Sequence, residues 1–310
     1  AILSTIDMPI APADGLHVLD HYAYVAVSYA GGFFVYDIAN PAAPQQVGAY
    51  LDDEHPFVSI YATGHYVYAV DAWQGLFVFD VANPAHPRKV GLCRPDGMGS
   101  GIAHEVVVSG QYAYLITTPG GLHVIDVSDP THPVQVGSCQ VPGVGIGAVA
   151  VSGPCAYLTT DEPGLRVLDV SDPAQPTEVA RCHSGGLGIS IHLAGGCAYL
   201  GAKGEGLQVV DVSSLDRPVR VGSYGADAAG VFATGDHVYI ATSQAELVSV
   251  PLVREEITAT IPASGGVLAS RDGLTTLAFP AGVFTGTATV SYRHLQFNAP
   301  APTLGLRSTD

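Results

Sequence analysis

The seventeen residues GLHVIDVSDPTHPVQVG, from Gly121 to Gly137, return almost unchanged as GLRVLDVSDPAQPTEVA, from Gly164 to Ala180. A chain that repeats itself at a fixed interval folds as an array of like units, each covering its neighbour's apolar face, so the period governs the architecture. The phrase also stands at Gly32–Gly48, Gly75–Gly91 and Gly206–Gly222. Its aspartate falls at Asp37, Asp80, Asp126, Asp169 and Asp211, with spacings of 43, 46, 43 and 42. A sixth, degraded copy, ELVSVPLV, has Pro251 in place of the aspartate, 40 residues further on.

Ahead of each copy lies a second phrase: HYAYVAV, HYVYAVD, QYAYLIT, PCAYLTT, GCAYLGA and DHVYIAT. Ahead of that is a short apolar run ending in a turn, such as EVVVSG or AVAVSG. Each unit therefore holds four short runs rich in Val, Ile, Leu and Tyr, punctuated by Gly, Pro, Asn or Asp, with no helical periodicity of useful length. Four strands per unit of this size predict a propeller blade, and six units predict an all-β, six-bladed β-propeller of four-stranded blades. Five or seven blades fit the copy number less well. LSTIDMP (Leu3–Pro9) aligns with VGSCQVP (Val136–Pro142) in the outer strand of the third blade. An N-terminal strand closing the last blade is therefore expected.

The GLxVxDVSDPxxPxxVG phrase with its preceding AYL resembles the LVIVD repeat of secreted and surface-attached bacterial and archaeal proteins. The resemblance covers roughly residues 1–253. It implies a propeller in an extracytoplasmic location, and its matching residues are architectural. The expected domains are thus a propeller over 1–254 and a short C-terminal β extension over 255–310. Within the extension, Ile257–Tyr292 resembles the opening of the β-sandwich modules of ankyrins and netrin receptors, carrying GGVL, DGLTTLAFPAG and alternating β patterning. Only the first half of such a module is present, so the chain is either cut or completed by another chain.

Twelve Lys and Arg against twenty-eight Asp and Glu give a net charge of −16. Such a surface repels phosphate backbones and anionic lipid heads, which argues against nucleic acid and peripheral membrane binding. No apolar stretch reaches the ~18–20 residues of a spanning helix. The chain opens AILSTID without Met, as a mature protein does after removal of a signal peptide, and so does a trimmed one. Of the five cysteines, Cys139/Cys155 and Cys182/Cys197 are near in sequence. The end of a fourth strand and the start of the next blade's second lie at opposite rims, beyond the ~7 Å that a disulfide spans, so free thiols are expected.

The repeated aspartate occurs five times around a ring, which is the pattern of a turn-former accepting backbone N–H bonds, not of a catalytic carboxylate. The PxxP pairs lie at a fixed place between two strands and read as turns. GVGIG and GMGSG open no helix and so offer no phosphate cradle. The copies differ usefully in the innermost strands, where His17, Tyr61, Glu105 and His192 are polar residues in otherwise apolar strands. These four are the candidate ligand-binding residues of a central channel, as part of an acid/base pair, as part of a metal site, or as hydrogen-bonded channel lining. The interblade loop LDDEHP offers Asp52, Asp53 and Glu54 as a weak calcium candidate, without the spacing of a calcium loop. Trp73, the one tryptophan, sits in a rim loop suited to recognising a sugar or peptide.

The sequence thus points to a secreted or cell-surface propeller acting as a non-enzymatic binding or structural module, with no cofactor. Its expected partners are protein or carbohydrate at the cell surface, or copies of itself. Two alternatives stand beside this reading. One is a subunit of a surface layer or filament assembled through the C-terminal segment. The other is a channel-centred hydrolase or lyase using His17, Glu105 and His192.

Overall fold

The computed structural model describes residues 4, 6, 13–28, 31–98, 101–141, 145–160, 164–225, 227–244, 246–269, 276–297 and 304–305. These form a six-bladed propeller of antiparallel sheets, four-stranded in blades 1 to 5, with no helix among the described residues. Blade 3 shows the pattern: Ile102–Ser109, Tyr112–Thr118, Gly121–Asp126 and Val134–Cys139, paired in chain order. The third strand of blades 1 to 5 is buried up to its final aspartate, and in blades 2 to 5 a neighbouring blade packs on each face. Its continuous apolar run therefore has no alternation.

The repeated phrase is the third strand, a turn and the fourth strand. Asp37, Asp80, Asp126, Asp169 and Asp211 each accept the backbone N–H two residues on at 2.8–2.9 Å, fixing the turn as expected. The glycine that ends the phrase lies beside a bulge that recurs between the third and fourth strands. A Cβ on Gly48, Gly91 or Gly137 would collide with the carbonyl oxygen of Pro84, Pro130 or Pro173 in the next blade. Phrase-end glycine and turn proline are thus two halves of one contact between blades.

Five apolar clusters join neighbouring blades, from the 1–2 junction to the 5–6 junction. The repeat tyrosines Tyr24, Tyr68, Tyr114, Tyr157 and Tyr199 are buried in these, each only 0–4% exposed. The sixth copy, Tyr239, is 36% exposed, and Phe232 beside it is 55% exposed. Across the junction, Leu16 and Val18 of blade 1 are also exposed, and the remaining cluster stays within blade 1. Among the described residues, blades 6 and 1 share no apolar cluster.

Of the N-terminal stretch Leu3–Pro9 expected to close the last blade, all but Ser4 and Ile6 lie outside the described residues, and neither of these two is in a strand. Ser4 Oγ donates to the Pro41 carbonyl at 2.6 Å. That oxygen is the blade 1 counterpart of the one that abuts Gly137, the residue with which Ser4 aligns. Blade 6 comprises Gly230–Ala233, His237–Ala241 and the long strand Glu246–Ile261. The long strand pairs on its outer side with Ala288–Phe297 and Leu304–Gly305. It also runs without a break through residue 254, where the propeller was expected to end. A hairpin of Gly266–Ala269 with Thr276–Phe279 follows it.

Candidate functional site

The inner strands Gly15–Leu19, Phe57–Thr63, Ile102–Ser109, Ile146–Ser152, Leu187–Ala194 and Gly230–Ala233 surround the propeller axis. They enclose a channel with a cavity of about 980 Å³, lined by residues from all six. His17, Tyr61, Glu105 and His192 all line it. No lysine or arginine lines it among the described residues.

The four residues share the channel without bonding to one another. His17 Nδ1 accepts the Ala62 N–H at 3.1 Å, and Glu105 Oε2 accepts the Val149 N–H at 2.7 Å. Ser59 Oγ accepts the Val106 N–H at 3.4 Å in the same manner. In each case a side chain on one inner strand reaches the backbone of the next strand around the ring. Inner strands of adjacent blades share no sheet ladder, so these side chains take over N–H groups that would otherwise face the channel.

Tilted ring contacts complete the wall. His17 lies 4.2 Å from the Tyr61 ring, and His192 lies 4.4 Å from Phe232. Burial lowers the pKa of both histidines, while a hydrogen bond with the Ala233 backbone draws His192 the other way. Burial raises the Tyr61 phenol. Glu105 keeps some exposed area in the channel yet is surrounded deeply by protein, and burial pushes its carboxyl up to about 7 against the pull of the Val149 N–H. Among the described residues no hydrogen bond reaches Oε1.

Ser59, His104 and Phe232 also line the channel, beyond the four candidates legible in the sequence. Ser59 and Phe232 stand in the two repeat columns that held Glu105 and His17, so their columns were the available signal. His104 lines the cavity from a position adjacent to Glu105, with Nε2 2.9 Å from Thr118 Oγ1. That placement follows from a register shift between the first two strands of blade 3, which spacing alone does not show.

Outside the channel, Trp73 is 55% exposed in its rim loop, and Asp71 Oδ1 fixes that loop by accepting the N–H groups of Trp73 and Gln74. The acidic loop closes on itself. Asp52 accepts the Glu54 N–H at 3.2 Å and the Tyr50 hydroxyl at 3.2 Å, and its Oδ2 lies 2.8 Å from His55 Nδ1. Asp53 and Glu54 are exposed. Among the described residues no three His, Cys, Asp or Glu groups converge as a metal would require. All five cysteines are free, as the strand geometry required, and Cys93, Cys155 and Cys197 are buried.

The LVIVD repeat profile matches this chain six times, over residues 12–52, 58–94, 100–141, 147–184, 185–226 and 225–250. No curated protein matches the sequence. Solved structures do resemble it. A Bacteroides fragilis protein bearing the provisional name 6-phosphogluconolactonase has a TM-score of 0.67 at 12% identity, over 95% of this chain and 89% of that one. A Lactobacillus plantarum protein has a TM-score of 0.66 at 14% identity, over 90% and 88%. The Cps50 (Swd1) propeller domain of Myceliophteria thermophila has a TM-score of 0.63 at 12% identity, over 81% and 85%. At such identities the likeness is one of fold.

Proposed function

This chain belongs to the LVIVD-repeat family, and from that premise we propose that it is a non-enzymatic binding module of the cell surface or its surroundings. Its axial channel receives a small ligand, and its rim meets protein or carbohydrate. One observation carries the reading: His17, Ser59 and Glu105 bond the backbone of the next blade and not each other. Among the described residues His17, Glu105 and His192 form no hydrogen-bonded acid–base pair with one another, whereas a walled cavity with a few polar groups is what ligand recognition needs. The net charge of −16, the exposed Trp73 and the resemblance of Ile257–Tyr292 to modules of surface proteins support the location and the partners.

Ala150, on the channel wall, supplies the test. Ala150→Trp should abolish ligand-induced thermal shifts in a small-molecule screen while leaving the unliganded Tm nearly unchanged. Ligands that bind this variant as well as the native protein would place recognition outside the channel. A second reading, the channel-centred hydrolase or lyase using His17, Glu105 and His192, rests on the Glu105 carboxyl near 7, which suits general acid/base work. Turnover that is lost in Glu105→Gln would select it.

A further inference from the structure

We propose that the channel ligand is a small organic cation, a protonated amine on an apolar body, whose nitrogen docks at Glu105 Oε1. The inference rests on the channel being the ligand site. Three features of the wall converge on it.

The first is an uncompensated acid. Oε2 is held by the Val149 N–H, and among the described residues nothing bonds Oε1 and no Lys or Arg lines the cavity. A carboxyl in such a place becomes an anion readily only when a cation arrives with it, and burial holding it near 7 is the same fact seen without the ligand. The second is the state of its neighbours. Asp14, the other acid in the lining, already accepts the Ser28 N–H at 2.7 Å. His17 and His192 are held neutral by burial, so neither supplies the missing charge. The third is the company around it. Val149, Val107, Ile191 and Phe232 give an apolar wall, and a bare metal ion finds too few ligands among the described residues, whereas an alkyl or aryl amine is matched at both ends. The strongly acidic chain adds long-range attraction for cations.

The test compares benzylamine with benzyl alcohol, which share a ring and differ in charge. Both are titrated by NMR at pH 8 into the full chain and into Glu105→Gln, whose amide oxygen still accepts the Val149 N–H. The native protein should bind the amine at least about tenfold more tightly than the alcohol, equivalent to ~1.4 kcal/mol, and the variant should lose that preference. Equal binding of the two probes, or a preference retained by the variant, overturns the cation while leaving the channel as a ligand site. If neither probe perturbs the Tyr61 and Phe232 resonances, both readings fall. Circular dichroism of the variant confirms that it is folded.

Discussion

Glu105 Oε2 lies 2.7 Å from the amide nitrogen of Val149, so blades 3 and 4 are joined at the axis by a carboxyl group. His17 with Ala62 and Ser59 with Val106 repeat the relation at the two preceding junctions, each residue reaching the backbone one step around the ring. The polar residues that mark the channel are therefore fastenings as well as lining. Changing them alters stability in ways that can be separated from ligand binding.

Glu105 gives the first expected outcome. Its carboxyl titrates near 7 in the folded chain against 4.5 when unperturbed, so the native state holds an extra proton between these values. Stability from an acid with a raised pKa is present below the unfolded value and is lost as pH rises through the window. Urea unfolding should therefore show the native protein losing up to roughly 3 kcal/mol relative to Glu105→Gln between pH 4.5 and pH 7. Curves that stay parallel would contradict the raised pKa. Glu105→Ala, which strands the Val149 N–H, should cost about 1–3 kcal/mol at pH 5.

The blades were legible because each unit repeats its turn residues, and Asp126 or Gly137 has the same neighbours wherever the phrase occurs. The candidate channel residues were legible as departures from the repeat, since Glu105 stands where other copies carry Gly, Ser or Ala, and His17 and His192 where others carry Tyr, Val, Ala or Phe. Their partners were not, because Val149 and Ala62 take part through backbone N–H groups that any residue supplies. The extension was only partly legible: alternation announced strands, but nothing local showed that Glu246–Ile261 would run unbroken from blade 6 into the pairing with Ala288–Phe297.

His17 should titrate below its ordinary value. Nδ1 accepts the Ala62 N–H, which only the neutral ring can do, and burial opposes protonation. A base with a lowered pKa stabilises the fold above the unfolded value near 6.5, and that contribution is lost as pH falls through the folded one. The Cε1 proton of His17 should thus show an NMR midpoint below 6.5, rising toward it on urea unfolding. A native midpoint at or above the unfolded one would exclude the bond to Ala62.

The two ends of the ring should differ in sensitivity. Tyr199 and Tyr239 occupy the same place in blades 5 and 6, but the first is 0% and the second 36% exposed. Tyr199→Ala empties an apolar cluster between two blades and should cost about 3–5 kcal/mol. Tyr239→Ala removes a side chain that no described cluster contains, and should cost roughly 1 kcal/mol. Equal losses in chemical denaturation would mean that blades 6 and 1 close in solution as tightly as the others.

Arg166 and Glu178 test whether an ion pair in one blade is interchangeable with the cation–π pair of another. Arg166 Nη1 lies 2.9 Å from Glu178 Oε2 with the guanidinium almost wholly covered, and Arg181 Nε holds the other carboxylate oxygen at 3.0 Å. The repeat places Phe77, Lys89 and Leu92 of blade 2 at the matching positions, where Lys89 Nζ sits 4.2 Å over the Phe77 ring. Glu178→Ala removes a carboxylate that holds a buried guanidinium and should cost about 1–3 kcal/mol. The triple change Arg166→Phe, Glu178→Lys and Arg181→Leu transplants the blade 2 arrangement whole. Because desolvating an ion pair offsets most of its attraction, the triple variant should unfold within about 1 kcal/mol of the native protein, or above it. A triple variant as damaged as the single one would show that the blades, alike in backbone, have side-chain interiors that cannot be exchanged.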